Sequence, residues 1–321
     1  MAKFLMFGPY EWWSQEWSNF SAPPLGIHRI ASHLRNNAHH AEVIDPDLED
    51  ITTEEEVRNF VLQDKYDFIG ISPTHITLEN DLGLANIAKK YSPESIIIAG
   101  GMEATNAYDL VMDNSEVEMV VIGEGERPAI GLARAGKGGS LVERFGKIPG
   151  LIIKNGKPDG SKLKTGWNPA LNEEEFVEAT MGMDFTRVPY DRYWAGTAET
   201  YKEDLEHPDP RIREKRKQEV YAMRIFQENY CPYNCTFCGS RAFQIDAAGG
   251  EKIKVVSLGG FELTDLVEKC FNANPRLQTI IIQDDNFMMG LKNNKIEKLI
   301  ASMNEKKMKG ILPEYLSFIC Q

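Results

Sequence analysis

The chain has no apolar run of about 18 residues or more, which argues against a membrane-spanning helix. It is short of positive charge: 36 Lys and Arg stand against 48 Asp and Glu, a formal net charge of −12. Proteins that grip a phosphate backbone usually show a basic footprint, so nucleic acid is not expected as a partner beyond a small local patch. Cysteine is scarce, at 5 in 321 residues, and Cys231, Cys235 and Cys238 fall in one short stretch. That usage fits a reducing, cytoplasmic setting and not a disulfide framework. Met1-Ala2-Lys3 leads into an apolar stretch too brief for a signal peptide. There is no internal repeat and no low-complexity tract. The dinucleotide signature Gly-x-Gly-x-x-Gly does not follow the first predicted strand.

What is present is enough for packed cores: 42% of residues are hydrophobic and 26% charged, and the length suggests two domains. Lys3 to Phe7 reads as a buried strand closed by Gly8-Pro9. An aromatic loop follows, with Tyr10, Trp12, Trp13, Trp17 and Phe20, placed to cover a ligand or to plug the sheet edge. Helical spacing begins after Pro23-Pro24-Leu25-Gly26. Strands are predicted at 41–45, 67–72, 95–99 and 118–122, with helices between them, one N-capped by Thr53 and one over 78–91. Ile- and Val-rich strands alternating with helices argue for an α/β fold, a parallel sheet covered on both faces. Ligands of such sheets bind outside the carboxyl ends of the strands, where Gly100-Gly101 and Gly123-Glu124-Gly125 lie.

A hairpin is expected where Gly150 to Ile153 meets the turn Asn155-Gly156, with a return strand starting at Lys157. A polar linker is expected to about Thr180, and a solvated helix over the charged stretch Glu199 to Glu219. Strand–helix units follow: a strand before Cys231, a helix over 261–271 with Cys270 as a core thiol, a strand over 277–282, a helix over 296–308 and a strand over 315–319.

The cysteine loop itself reads Cys231-Pro232-Tyr233-Asn234-Cys235-Thr236-Phe237-Cys238-Gly239. Three thiolates leaving one strand can turn inward onto an iron–sulfur cube, whose usual ligands are cysteines. Three ligands leave one iron without a protein partner, open to a substrate or cofactor. Structural zinc is the weaker reading, because it wants four closed ligands and no second Cys/His pair lies near.

The loop resembles the radical S-adenosylmethionine (SAM) signature Cys-x3-Cys-x-aromatic-Cys. The first half resembles the cobalamin-binding domains that precede many radical SAM barrels. The matching pieces are Pro23-Pro24-Leu25-Gly26-Ile27, Gly70-Ile71-Ser72, Ile98-Ala99-Gly100-Gly101-Met102-Glu103-Ala104 and Val121-Ile122-Gly123-Glu124-Gly125-Glu126. The resemblance implies a Rossmann-like (flavodoxin-like) cobalamin-binding domain over 1–145, a hairpin and linker over 146–218, and an incomplete radical SAM (β/α) partial TIM barrel over 219–321. It implies a [4Fe–4S] cluster on Cys231, Cys235 and Cys238, with no further catalytic side chain, and SAM contacts from Phe237, Gly239, Asp284 and Asp285. Cobalamin contacts are implied for Ser72, Thr74, His75, Gly100, Gly101, Gly123, Glu124 and Gly125. The histidine motif Asp-x-His-x-x-Gly of many cobalamin domains is absent. His75 is better placed to meet a corrin, as an axial ligand or a polar loop contact, than His28, His33, His39 and His40, for which solvated or capping roles are expected.

The implied activity is reductive cleavage of SAM to a 5′-deoxyadenosyl radical, with methyl transfer to an unactivated carbon first in order. Ring-forming or oxidative radical chemistry, and a non-catalytic cobalamin-binding module, are the alternatives. A small-molecule or peptide substrate and an electron donor such as flavodoxin or ferredoxin follow from the same resemblance. The barrel portion holds two strand–helix units and a third strand, so a fragment, or a barrel completed by another chain, is expected.

Overall fold

The computed structural model describes residues 1–10, 22–233, 235–236, 238–284 and 294–320, without the side chains of 240–242. In chain order the elements are β1 (Lys3–Phe7), α1 (Leu25–Asn36), β2 (His40–Ile44), α2 (Glu54–Val61), β3 (Phe68–Ile71), α3 (Leu78–Tyr91), β4 (Ile96–Ala99), α4 (Gly101–Asn106), α5 (Tyr108–Asp113), β5 (Met119–Val121), α6 (Glu126–Arg134) and α7 (Leu141–Phe145). Then come β6 (Leu151–Ile153), β7 (Leu163–Lys164), α8 (Glu173–Met181), α9 (Tyr190–Thr200), α10 (Lys202–Leu205), α11 (Pro210–Val220), β8 (Ala222–Ile225), α12 (Gly239–Ala247), α13 (Gly260–Ala273), β9 (Thr279–Ile282), α14 (Lys295–Met308) and β10 (Ser317–Cys320). They divide into two compact units: the described residues within 1–14, 26–171 and 233–253 form the first, and those within 15–25, 172–232 and 254–321 the second.

The first unit is a doubly wound sheet of order β2-β1-β3-β4-β5-β6-β7, parallel through β5 and antiparallel from β6. Strand alternation assigns its two cores. Leu5 and Phe7 of β1 face one way, into a cluster with Ile69, Ile97, Val57, Leu84 and Val111. Phe4 and Met6 face the other way, with Phe68, Leu34, Ile130, Leu132 and Phe145. Phe4 stacks on Phe68 with ring centroids 4.6 Å apart, and Phe145 meets Phe68 edge-on at 5.9 Å. Both faces are covered, as the Ile/Val-rich strands require. Thr53 caps α2 through a complete capping box with Glu56, and α3 occupies the predicted 78–91.

Four expectations need correction. Asn155 does take a positive φ of 51°, but the return strand begins at Leu163, not Lys157, because a second turn is held by Lys157 N–H to Ser161 O and by Asp159 on Ser161. The stretch read as a linker contains α8, started by an Asn172–Glu175 capping box. The charged stretch 199–219 is not one helix. It holds the end of α9, then α10 and α11, broken near Pro208, with Asp209 capping α11 and Pro210 opening it. His28 is not solvated: it is 3% exposed, and burial lowers its pKa to about 4. His39 accepts the Ala2 N–H and His40 meets Glu42 at 3.0 Å.

The second unit carries the parallel sheet β10-β9-β8. Met223, Ile225, Ile280 and Ile282 are buried, as are Leu263, Leu266, Val267 and Cys270 of α13. Cys270 is therefore a core thiol, and burial pushes its pKa up. Lys306 of α14 reaches Asp265 and Glu268 of α13. Tyr190 and Trp194 of α9 service β8: the Arg224 N–H donates to the Tyr190 hydroxyl (3.2 Å), and Trp194 Nε1 donates to Ala222 O (3.0 Å).

Candidate functional site

Three loops leave the carboxyl ends of β3, β4 and β5 in the first unit. After β3, Ser72 is half-buried while Thr74, His75 and Ile76 stand exposed, His75 to 91% of its side chain. Its Nδ1 lies 3.7 Å from Glu103 Oε1, beyond hydrogen-bond reach. The loop is stitched at its base: Thr74 N–H donates to Thr77 Oγ1, the two threonine hydroxyls meet at 2.8 Å, and Thr77 Oγ1 lies 2.6 Å from Asp81 Oδ2. Asp81 is fully buried, and its Oδ1 accepts the Tyr10 N–H at 3.0 Å. Desolvation pushes its pKa up to about 8, against the pull of these hydrogen bonds. Tyr10, the first residue of the aromatic loop expected to cover a ligand or to plug the sheet edge, is buried, with its hydroxyl donating to Ile51 O; Trp12, Trp13, Trp17 and Phe20 lie outside the described residues.

After β4, Gly100 is extended and Gly101 has φ +90°. A Cβ on Gly101 would meet Ser72 Oγ at 3.3 Å, so the missing side chain leaves a shallow cradle between the β3 and β4 loops. Met102, half-exposed, stands beside it. After β5, the turn Gly123-Glu124-Gly125 faces inward. A Cβ on Gly123 would lie 2.6 Å from Ala247 Cβ, and one on Gly125 2.6 Å from Ile30 Cδ1. Asn168 Nδ2 donates to Ile122 O and Glu124 O, both at 2.7 Å, and Glu124 accepts the Leu171 N–H at 2.6 Å. Burial, then repulsion from Glu126, raises the Glu124 pKa to about 7. Glu126 is buried and takes Arg29 Nε at 2.6 Å. Asp81, Asn168 and Arg29 shape these loops, and none carries a sequence motif that would have marked it.

The cysteine loop follows β8. Asp284, 2% exposed at the end of β9, accepts the N–H groups of Gln227 and Glu228 at 2.8 and 3.2 Å. Leu258 N–H donates to Gln227 O, and Asn229 N–H to Val256 O. The approach to the cysteines is thus held from both sides. Cys231 and Cys238 are half-buried, Cys235 is exposed, and none is in a disulfide. Cys238 N–H closes a turn on Cys235 O at 3.2 Å, and Cys238 is the residue that caps α12. Among the described residues no three His, Cys, Asp or Glu side chains converge at metal-binding distance. The donor set nevertheless suits an iron–sulfur cluster: three cysteine thiols in one loop, with no second Cys/His pair beside them among the described residues to make a zinc site. Phe237 and Asp285 lie outside the described residues; Gly239 opens α12.

Residues 18–133 match the B12 binding domain family. Over 243 residues the chain is 24% identical to the anaerobic magnesium-protoporphyrin IX monomethyl ester cyclase of Rubrivivax gelatinosus, covering 73% of this chain and 38% of that protein. Its fold is similar to the radical SAM methyltransferase TsrM of Kitasatospora setae, solved with tryptophan and a SAM analogue (TM-score 0.66, 13% identity, 98% of this chain and 52% of that one). It is also similar to OxsB, a cobalamin-dependent SAM radical enzyme solved with aqua-cobalamin and SAM (TM-score 0.65, 14% identity, 99% and 38%). The chain thus has an α/β fold similar to those of TsrM and OxsB, with a match to the B12 binding domain family over residues 18–133. It spans between 38% and 52% of the length of these relatives. No helix among the described residues is long and apolar enough to cross a membrane.

Proposed function

We propose that this chain is the corrin- and cluster-bearing part of a cobalamin-dependent radical SAM enzyme that transfers a methyl group to an unactivated carbon. The observation that carries the reading is the Cys231/Cys235/Cys238 loop between a parallel strand and a helix, in a chain that also contains a B12-binding domain. When bound, the cluster and cobalamin supply one-electron cleavage of SAM and methyl delivery; the protein supplies binding, orientation and exclusion of water. Cys231, Cys235 and Cys238 hold the cluster. Gly239, Asp284, Phe237 and Asp285 are the proposed SAM contacts, Asp284 acting through the loop it pins. Ser72, Thr74, His75, Gly100 and Gly101 form the proposed corrin seat, with Gly123, Glu124 and Gly125 at its margin. The cradle over Gly101 and the exposed loop tips fit a broad flat ligand. An electron donor such as flavodoxin or ferredoxin, a small-molecule or peptide substrate, and further strand–helix units completing the barrel belong to the same proposal.

A second reading, radical ring formation, is favoured by one observation: the 24% identical relative is a cyclase. Anaerobic reconstitution with iron, sulfide and hydroxocobalamin tests the common core. The expected result is a corrin absorption band together with about four irons per chain. With SAM, a reductant and the chain in its full-length context, 5′-deoxyadenosine is expected. Corrin uptake without iron would leave only a B12-binding module. Methylated against cyclised product then separates the two chemistries.

A further inference from the structure

We infer that the Gly123 turn of the B12-binding domain is the seat of α12, and that this seat fixes the cysteine loop through Cys238. The inference rests on the cluster reading above and adds to it a positioning role for Gly123, Ala247 and Trp167. Helix α12 begins at the residue after Cys238, so any shift of the helix moves that thiol. It is held at three points within the first unit. At its start, a Cβ on Gly239 would touch Met102 Sδ at 3.5 Å, placing the helix mouth against the first turn of α4. At its end, Ala247 is buried against Gly123, its Cβ only 2.6 Å from where a Gly123 side chain would begin. Ala247 O also accepts the Asn168 N–H at 2.8 Å, and Asn168 Nδ2 holds the carbonyls of Ile122 and Glu124. Just beyond, Gly249 lies flat on the Trp167 indole: a Cβ there would come within 2.5 Å of the ring, and Lys164 Nζ lies 3.9 Å from the ring centroid.

Gly123 is therefore required by close approach as well as by its φ of +72°. The turn that a dinucleotide- or corrin-type reading gives to the ligand is spent, on this side, on a helix. A seat this tight transmits position, because packed contacts do not deform continuously. A collision at 2.6 Å must open by roughly 1 Å to reach ordinary contact.

The test compares reconstituted wild type with Ala247→Leu, Gly123→Ala and the double variant Gly123→Ala/Ala247→Gly. Ala247→Leu overfills the seat from the helix side and leaves the β5 turn intact. It should retain the corrin band and hydroxocobalamin affinity within about twofold of wild type while the EPR spectrum of the reduced cluster, and its change on adding SAM, are altered or lost. Displacements of this size near reacting centres lower rates by about a hundredfold, so any 5′-deoxyadenosine formation should fall to that degree. Gly123→Ala should disturb the cluster spectrum in the same direction, with no constraint placed on its corrin affinity, and the double variant, which removes the opposing methyl but keeps the left-handed strain at 123, should recover more of the wild-type cluster signal than Gly123→Ala does. If Gly123→Ala fails to fold, Ala247→Leu and Gly249→Ala, the latter with and without Trp167→Ala, carry the comparison. A wild-type cluster spectrum in Ala247→Leu, or a folded double variant no closer to the wild-type spectrum than Gly123→Ala, overturns the inference. Wild-type protein that takes up no iron overturns the cluster reading itself.

Discussion

Asp81 is the side chain whose removal most sharply separates scaffold from ligand seat. Its two oxygens hold the Tyr10 N–H from the β1 loop and the Thr77 hydroxyl from the β3 loop, at 3.0 and 2.6 Å, with no exposure to solvent. Replacing it by alanine takes the Asp81 acceptor from the Tyr10 N–H, while the Thr77 hydroxyl keeps Thr74 Oγ1 at 2.8 Å. A buried donor left unmade costs about 1–3 kcal/mol, so Asp81→Ala should lose about that much stability at about pH 4, where the carboxyl is still neutral in the folded protein. Asp81→Asn keeps an acceptor for Tyr10 and a polar contact for Thr77, and should lose far less. The two proteins also differ with pH. Below about pH 4 both folded and unfolded wild type carry the Asp81 proton. Between there and the folded pKa of about 8 only the folded state keeps it, so stability from this group is fully present at low pH and is lost as pH rises. Asparagine has no proton to lose. Urea unfolding of both proteins at matched pH should therefore show the Asn variant gaining on wild type by about 1.4 kcal/mol per pH unit between roughly pH 5 and 7. A difference that stays flat across that window would refute the assignment of Asp81 as a carboxyl kept neutral by burial. Because the same residue braces the 72–77 loop, Asp81→Ala should also weaken hydroxocobalamin binding, and Asp81→Asn should not.

Gly101→Ala places a methyl 3.3 Å from Ser72 Oγ on a backbone with φ +90°. The left-handed strain predicts a loss of about 1–2 kcal/mol of stability by urea unfolding, and the methyl, by filling the proposed cradle, should weaken corrin binding by titration. His75→Ala should leave the EPR spectrum of bound cob(II)alamin unchanged, since His75 is almost wholly exposed and its 3.7 Å approach to Glu103 does not lock the ring. A nitrogen splitting that responds to ¹⁵N-histidine labelling and vanishes in the variant would make it a cobalt ligand instead. Asn168→Ala removes two hydrogen bonds to the β5 turn and should lower the melting temperature of the first unit by several degrees, consistent with about 1 kcal/mol per bond.

Much of the first unit is legible in the chain because periodicity and turn chemistry agree there. The 3.6-residue spacing from Leu78 and the return to β-branched residues at Ile96 leave one solution for α3 and β4. The Thr53–Glu56 pair marks a helix start that the structure keeps. Where charge replaced pattern, the reading failed. The 199–219 stretch has no apolar period, so the break at Pro208 decides its shape. Helix α12 is short and its anchoring depends on Asn168, Trp167 and Gly123, which are remote in sequence; no local signal joins them. Asp81 looks like an ordinary first-turn acid, and only burial gives it a role. The cysteine spacing, by contrast, is chemistry written locally, and it led straight to the proposed cofactor.

Mössbauer spectroscopy of anaerobically reconstituted, ⁵⁷Fe-labelled protein tests the central claim most directly. The account predicts a cubane cluster in which one iron in four changes its parameters when SAM is added, and no cluster when Cys231, Cys235 and Cys238 are all replaced by alanine with the corrin still bound. Iron-free protein, or a cluster whose four sites all ignore SAM, would contradict it.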